Sequence, residues 1–328
     1  MLDILIVGAG PAGLSLAIEA QRAGLSYEVI EKGALVNSIL RYPTEMTFFS
    51  TPSLLEIGGV PFSTPNANPT RQEGLGYYRR VAEHYDLNIR FEEKLIDLKP
   101  DEHGFVVTSS KRTIAARIVV LATGYFDNPK LIGVPGESLP TVEHYYTEAH
   151  PYFRRKVAVI GSKNSAAEAA LDLCRHGAEV TMIVRGPALG KNVKYWLKPN
   201  LENRIKSGAI RVHYDSKIVA FEAGGVLIEK NGGAIRVECD HVFALTGYQP
   251  NVDLLRLCGV EVDSTTLIPS HNPDTFETNV PGLFIAGSVA CGCETGTIFI
   301  ENGRLHAFTI VGVAQRRLGD TKKTRSVE

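Results

Sequence analysis

Hydrophobic positions along the chain change their period several times, and the first change lies at the N-terminus. Residues 3–7 form a β-branched and leucine-rich run that predicts a strand, residues 14–23 predict a helix, and residues 26–31 predict a second strand. A glycine-rich turn at residues 8–13 joins the first strand to the helix. The N-terminus is therefore expected to form a β-turn-α-β unit.

The same pattern recurs in the middle of the chain. A strand, a turn, a helix and a strand are predicted in succession at residues 156–160, 161–166, 167–175 and 179–184. Two more strands, at residues 117–121 and 241–245, each lead into a Thr-Gly turn. We therefore predict an α/β fold with two Rossmann-like, three-layer ββα dinucleotide-binding domains.

The C-terminal pattern extends the first of these domains. A strand at residues 283–286, a turn at Gly287-Ser288 and a helix at residues 297–313 would complete it. The first domain is then discontinuous, at residues 1–125 and 250–328, and residues 126–249 form the second.

Composition supports two globular domains and excludes several classes of function. The 328 residues are 44% hydrophobic and 22% charged, and the formal net charge of -1 gives no case for nucleic-acid binding. The N-terminus runs straight into the glycine turn without a signal-peptide pattern, and the sequence has no apolar run of about 18 residues. We expect a cytoplasmic protein with no membrane partner and no metal site.

The first glycine turn has the GxGxxG spacing, with Gly8, Gly10 and Gly13. Glycines there let the backbone approach a pyrophosphate, and the following helix directs its N-terminal amides at the anion. Glu31 ends the next strand, where a carboxylate can accept both hydroxyls of an adenosine ribose. A dinucleotide is expected here, the alternative being a purely structural turn.

The second turn, Gly161-Ser162-Lys163-Asn164-Ser165-Ala166, keeps the tight turn and close helix packing with Gly161 and Ala166. Arg185 stands where an acid would bind a ribose, which suits a 2'-phosphate and favours NADPH over NADH. Lys191 could add a second phosphate contact. Both basic residues could instead be solvated surface side chains.

Two dinucleotide folds in one chain point to a flavin that mediates between a nicotinamide and a second acceptor. The glycine turn, Ala122-Thr123-Gly124, Thr246-Gly247 and residues 279–287 together resemble the low-molecular-weight thioredoxin reductase fold over essentially the whole chain. Residues 46–51, 55–59 and 298–304, with Lys163-Asn164-Ser165-Ala166, are similar to the YpdA-type bacillithiol disulfide reductase family.

That resemblance implies FAD, NADPH, a homodimer or homotetramer, and electron transfer through the flavin to a small disulfide, bacillithiol disulfide. The implied FAD-binding residues are Gly8, Gly10, Pro11, Ala12, Gly13, Glu31, Lys32, Asn37, Phe49, Ser50, Ala122, Thr123, Gly124, Gly287, Ser288, Thr297 and Ile298. The implied NADPH-binding residues are Gly161, Ser162, Lys163, Asn164, Ser165, Ala166, Arg185, Lys191, Thr246 and Gly247.

The chain departs from its relatives in its cysteines. Thioredoxin reductases carry a Cys-x-x-Cys pair just before the second Rossmann strand, where this chain has residues 142–147 and no cysteine. Proteins of the bacillithiol type often have a cysteine at the position of Ala12. The remaining candidate for a catalytic pair is Cys291 and Cys293, and the alternative is two small residues packed in a tight loop. His306 is a candidate proton donor or a packed bystander.

Three other functions are alternatives, although the modest length and the lack of a clear Phe-x-Gly-x-x-x-His signature before Lys156 speak against a flavin monooxygenase. A ferredoxin or flavodoxin reductase of the same fold also lacks the cysteine pair, and a flavin monooxygenase shares the paired Rossmann motifs. A flavin-based redox sensor would turn over slowly with every small acceptor. Fold alone does not choose the acceptor.

Overall fold

The computed structural model describes residues 1–191 and 193–325, with side chains of the last helix described as far as residue 319. The chain divides into two compact units. Unit 1 comprises Met1–Leu40, Met46–Asn128 and the chain from Tyr248 onward, and unit 2 comprises Arg41–Glu45 and Pro129–Gly247.

Unit 1 is built on a seven-stranded sheet of order β3-β2-β1-β6-β5-β4, and β15 pairs with β6 off this path, at residues beyond those that pair with β5. The strands β1, β2, β3, β6 and β15 pair in parallel, and β4, β5 and β6 pair antiparallel. The strand bounds are Leu2–Val7 (β1), Tyr27–Ile30 (β2), Ile89–Arg90 (β3), Leu95–Asp101 (β4), Gly104–Ser109 (β5), Thr113–Leu121 (β6) and Leu283–Ile285 (β15).

Helices of unit 1 cover this sheet and bury its apolar strands. Ile4, Leu5 and Ile6 of β1 are fully buried, as expected of a parallel strand covered on both faces. The described helices of this unit are Pro11–Arg22 (α1), Asn37–Leu40 (α2), Pro52–Leu55 (α3), Arg71–His84 (α4), Val252–Leu257 (α7), Ile300–Gly303 (α8) and His306–Arg325 (α9).

Unit 2 has a parallel five-stranded sheet of order β10-β9-β8-β14-β7 and a separate antiparallel sheet of order β11-β12-β13. Its strands are Val142–Glu143 (β7), Lys156–Ile160 (β8), Glu179–Ile183 (β9), Ile210–His213 (β10), Ser216–Glu222 (β11), Gly225–Lys230 (β12), Gly233–Glu238 (β13) and His241–Ala244 (β14). Its described α-helices are Asn164–Arg175 (α5) and Lys198–Lys206 (α6).

These two units confirm the predicted fold class of two Rossmann-like α/β domains. One short segment lies elsewhere than expected, because Arg41–Glu45 belongs to unit 2 although it falls within the predicted first domain. The Thr44 amide donates to the Thr147 carbonyl at 2.9 Å, and the Arg41 guanidinium lies 4.1 Å from the centre of the Tyr145 ring. Such long-range pairing leaves no local sequence signal.

Strand register places the predicted turns at one edge of each sheet. In unit 1, Val7 is paired with Ile30 and with Leu121, and Leu121 is paired with Ile285, so these four strands end together. In unit 2, Ile160 is likewise paired with Ile183 and with Ala244. We call these the carboxyl edges of units 1 and 2, and ligands of open α/β sheets bind there.

Candidate functional site

The first glycine turn, at the carboxyl edge of unit 1, is closed by backbone contacts that exclude side chains. A β-carbon on Gly13 would lie 1.9 Å from the Gly8 carbonyl oxygen. Gly8 itself has φ +112°, and a β-carbon there would lie 2.5 Å from the Ala122 carbonyl oxygen. Glycine is therefore required at both positions to join β1, α1 and β6.

Gly10 differs from these two glycines because it faces open space. A β-carbon there would meet nothing within 4 Å, although the backbone conformation, φ -76° and ψ 176°, suits any residue. Helix α1 follows with Pro11 in its first turn and without a capping side chain. Its free amides and dipole thus border an open cradle, which fits a pyrophosphate.

The Glu31 carboxylate supports this turn from the end of β2. Its two oxygens accept hydrogen bonds from the Ala9 and Gly33 amides, each at 2.8 Å. Burial raises the pKa of the Glu31 carboxyl above its ordinary value, and the two amides oppose that shift. Glu31, which the sequence predicts to bind a ribose, therefore also stabilises the glycine turn. Each of its oxygens keeps a lone pair that could accept a further hydrogen bond.

Lys32 and Asn37 converge on a residue that sequence reasoning missed. The Lys32 ammonium lies 2.8 Å from one oxygen of Asp127, and the Asn37 amide nitrogen lies 3.5 Å from the other. Asp127 follows the Thr123-Gly124 turn and no motif singles it out. Its charge adds to the rise in the pKa of Glu31.

The turn after β15 lies against the two other turns of this edge. Gly287 has φ +72°, and a β-carbon there would lie 2.8 Å from the Ala12 β-carbon. The Ser288 hydroxyl lies 3.4 Å from where Gly124 would carry a β-carbon. The structure thus brings together the predicted FAD residues of the glycine turn, of residues 122–124 and of Gly287-Ser288.

The helix predicted over residues 297–313 is wrong in its start and its continuity. Thr297 and Ile298 precede α8, and α8 and α9 are separate helices. The Asn302 side chain accepts from the Phe299 amide and donates to the Thr297 carbonyl, which holds the chain in a turn until Ile300. The helical amides therefore begin three residues later than predicted.

Phe49 and Ser50 lie on the segment before α3. The Ser50 hydroxyl donates to the Glu301 carboxylate of α8, and the Arg304 guanidinium donates to the Glu56 carbonyl. Phe49 is 42% exposed. Ser50 is thus engaged in joining two segments of unit 1.

Cys291 and Cys293 do not form a disulfide and point to different partners. The Cys291 thiol donates to the Ser288 carbonyl at 3.1 Å, whereas the Cys293 thiol faces the Thr265 carbonyl at 3.8 Å. Cys291 is only 4% exposed, and burial raises the pKa of its thiol to about 11. This geometry disfavours Cys291 as a nucleophile, and the catalytic role of the pair stays a prediction.

The second glycine turn repeats these contacts at the carboxyl edge of unit 2. Gly161 has φ +139°, and a β-carbon there would lie 2.6 Å from the Leu245 carbonyl oxygen and 3.0 Å from the Ala166 β-carbon. Helix α5 begins at Asn164, three residues earlier than predicted, and no side chain caps it. Both features suit a phosphate at this turn.

The loop after β9 covers this second turn, and its backbone amides form hydrogen bonds with two acceptors of the turn. The Gly190 amide donates to the Ser162 carbonyl at 2.8 Å, and the Lys194 amide donates to the Asn164 side chain at 2.9 Å. Lys163 and Ser165 are exposed. Asn164 therefore positions the loop that carries Lys191, which is itself exposed.

Arg185 and Thr246-Gly247 lie at the same edge of unit 2. Arg185 is exposed and follows β9, beside the end of β8. The Thr246 hydroxyl donates to the Lys130 carbonyl, and Gly247 accepts from the Lys130 amide at 2.9 Å. A β-carbon on Gly247 would meet nothing within 4 Å, so this turn is open to a ligand.

Glu168 of α5 gives a pH-dependent prediction. Burial raises the pKa of its carboxyl to about 7 from an ordinary 4.5, although the charge of Lys194 opposes the shift. Its contribution to stability is then fully present below pH 4.5 and is lost as pH rises towards 7. We expect Glu168→Gln to stabilise the protein at pH 8 by about 1–3 kcal/mol and to leave it unchanged at pH 4.

Thermal unfolding at the two pH values tests this prediction. Glu179→Gln is the matched control, because the Glu179 carboxylate, at the start of β9, is 59% exposed. An equal gain at both pH values in Glu168→Gln would contradict the assigned burial cost.

The described residues lack a membrane-spanning helix and a cluster of metal ligands. No described helix is long and apolar enough to cross a membrane. No group of three or more His, Cys, Asp or Glu side chains in the described part of the chain is placed to hold a metal ion.

Each unit has a glycine turn at the carboxyl edge of its sheet, an arrangement typical of oxidoreductases that bind two dinucleotides. A family model of pyridine nucleotide-disulphide oxidoreductases matches residues 5–287. The bacilliredoxin reductase Bdr of Bacillus subtilis (strain 168) is 42% identical over 95% of this chain and 97% of its own.

Two solved structures are similar along nearly their whole length. The bacillithiol disulfide reductase Bdr (YpdA) from Bacillus cereus is 40% identical with a TM-score of 0.94, covering 96% of this chain and 99% of that one. The enzyme of the same name from Staphylococcus aureus is 38% identical with a TM-score of 0.92, covering 97% and 98%. The chain belongs to the YpdA-type bacillithiol disulfide reductase family of pyridine nucleotide-disulphide oxidoreductases.

Membership of this family confirms the predicted enzyme class, an NADPH-dependent flavoprotein reductase, and its cofactors FAD and NADPH. The structure fits both groups. The open space at Gly10, next to the turn that Glu31 stabilises, suits FAD. The turn before α5, which no side chain caps and which has Arg185 at the same sheet edge, suits NADPH.

Proposed function

We propose that this chain reduces a low-molecular-weight disulfide, bacillithiol disulfide, with electrons that NADPH supplies through FAD. The observation that carries the proposal is the pair of glycine turns at Gly8–Gly13 and at Gly161–Ala166, one on each unit, each leading into a helix without a capping side chain. FAD supplies the chemistry of accepting two electrons from a nicotinamide and releasing them to a disulfide. The choice of disulfide rests on the similarity to enzymes named for it.

The residues of unit 1 would hold and orient the flavin nucleotide. The Gly10 cradle and the first amides of α1 would bind its pyrophosphate, and Glu31 would keep the turn in shape while accepting from a ribose hydroxyl. Thr123-Gly124 and Ser288 would line the cofactor at the ends of β6 and β15.

The residues of unit 2 would hold NADPH. The turn from Gly161 to Ala166 would bind the pyrophosphate, and Arg185, with Lys191, would bind the 2'-phosphate. Thr246-Gly247 would border the nucleotide where β14 ends. We retain a cytoplasmic location and a homodimer or homotetramer as predictions from the sequence.

Steady-state turnover tests the proposed substrate. With bacillithiol disulfide, each NADPH consumed should yield two free thiols, since one hydride and one proton balance the cleavage of one disulfide bond. Oxidised ferredoxin, thioredoxin and bacilliredoxin serve as competing acceptors. Rapid ferredoxin reduction without thiol release would replace the proposal with the electron-carrier alternative, and activity only with bacilliredoxin would move the acceptor to a protein disulfide.

The cysteine pair gives a further prediction. Cys291→Ser with Cys293→Ser is expected to keep kcat for bacillithiol disulfide within about twofold of the unmodified enzyme. The reason is that the Cys291 thiol is only 4% exposed and its raised pKa leaves little thiolate at neutral pH, so a relay that needs both sulfurs lacks one of them.

The measurement compares thiol release by the double variant, by each single variant and by Cys174→Ser, which changes a partly exposed cysteine of unit 2. A hundredfold loss confined to the Cys291 and Cys293 variants would instead establish the pair as the relay.

A further inference from the structure

His306 is the first residue of α9, and its imidazole is bound to the backbone of the turn after β15. The ring is buried, and its Nδ1 accepts a hydrogen bond from the Gly287 amide at 3.2 Å. Because a backbone N–H can only donate, Nδ1 carries no proton. The ring proton of the neutral imidazole therefore lies on Nε2.

Aromatic stacking fixes the plane of this ring. The His306 ring lies 3.9 Å from the Phe276 ring, centre to centre, with 16° between the planes. His271 stacks on Phe276 at 6.2 Å, and its Nδ1 is bonded to the Pro269 carbonyl instead. Burial lowers the pKa of His306 to about 4, so the imidazole stays neutral at neutral pH.

The bonded amide belongs to a turn that has little room to move. Beyond the close approach to Ala12, a β-carbon on Gly303 would lie 3.1 Å from the Gly287 α-carbon. Gly287 is thus flanked by α1 and by α8, and its N–H donates to the His306 imidazole. With that N–H occupied, Ser288 is the next group of this turn able to meet a ligand at the carboxyl edge.

We propose that His306 is a positioning residue for the flavin nucleotide, acting through its Nδ1 bond to the Gly287 amide to fix the Gly287-Ser288 turn. The inference rests on the proposed function, since it takes this edge of unit 1 as the FAD site. It assigns His306 a structural acceptor role instead of proton donation.

Three variants of the full-length holoenzyme test the role. His306→Phe keeps a stacked ring and removes the acceptor, whereas His306→Asn restores an acceptor near the position of Nδ1. His271→Phe is the matched control, because it makes the same change to another ring that stacks on Phe276 and that has no bond to Gly287. For each, the FAD dissociation constant, the visible circular dichroism of bound flavin and the unfolding midpoint are measured.

We expect His306→Phe to raise the FAD dissociation constant about tenfold and to change the flavin circular dichroism, because the buried Gly287 N–H loses its partner. His306→Asn should recover most of the affinity, and His271→Phe should bind FAD normally. Equal FAD affinity and flavin spectra in His306→Phe and the unmodified enzyme would overturn the inference. Failure of a folded His306→Asn to recover affinity would do the same.

A measurement on the unmodified holoenzyme is independent of how the variants fold. The imidazole ¹⁵N spectrum, assigned by the signals lost in His306→Asn, should show Nδ1 unprotonated and Nε2 protonated at neutral pH. A protonated Nδ1 would overturn the inference. If the unmodified protein binds no FAD at all, the proposed function fails instead, so the two failures are distinguishable.

Discussion

Gly13→Ala is expected to abolish FAD binding, with the largest loss of any single methyl group added to unit 1. The new β-carbon would lie 1.9 Å from the Gly8 carbonyl oxygen, and this is a backbone atom that cannot rotate away. Relief would require separating α1 from the turn after β1, which destroys the cradle. The purified variant should be colourless, with a flavin-to-protein absorbance ratio near zero and a lowered unfolding midpoint.

Gly10→Ala is the matched control for this change. Its β-carbon would meet no protein atom within 4 Å, and its backbone conformation suits alanine. We expect normal folding of the variant but at least about a tenfold loss of FAD affinity, because the space is the proposed pyrophosphate cradle. Full flavin content in Gly13→Ala would contradict the site, and unchanged FAD affinity in Gly10→Ala would remove the cofactor from this cradle.

The second large effect is expected at Arg185. Replacing it by alanine should raise KM for NADPH by about 10- to 100-fold and leave KM for NADH nearly unchanged. A charge-assisted hydrogen bond to phosphate contributes about 1.5–3 kcal/mol, which corresponds to that range. Only NADPH has the 2'-phosphate that the exposed guanidinium at the end of β9 is proposed to meet.

Arg211→Ala controls for the loss of an exposed arginine from the same sheet. Arg211 lies on β10 and faces Glu179, at the start of β9, at 3.8 Å. Its loss should leave both constants unchanged. If Arg185→Ala raises KM for NADH and NADPH equally, the residue contributes to the general shape of the site and does not select the phosphate.

Local patterns were enough to predict the nucleotide-binding halves of the fold. The apolar run of β1, the glycine turn and the helical period of α1 are each visible in a short stretch of sequence. Each could therefore be predicted without knowledge of the tertiary structure. The same holds for β8, α5 and β9. The second β layer was part of the predicted fold class, but the bounds of β11, β12 and β13 were not predicted, although Asn231 and Gly232, both with positive φ, form the two-residue turn between β12 and β13.

Contacts between distant segments account for what the sequence did not predict. Asp127 binds Lys32 across 95 positions of the chain, and Asn302 delays α8 through two side-chain bonds. His306 was left open between proton donor and bystander, because only the fold places its Nδ1 beside the Gly287 amide. Glu31 was singled out by its place after β2, but its bonds to Ala9 and Gly33 follow from the folded turn.

The most direct test of the proposed electron transfer is an anaerobic titration of the holoenzyme with NADPH, followed by bacillithiol disulfide. The proposal predicts that NADPH bleaches the flavin absorbance and that the disulfide restores it rapidly, whereas oxidised ferredoxin leaves the flavin reduced. A flavin that stays reduced with the disulfide and is reoxidised by ferredoxin would contradict the proposed acceptor.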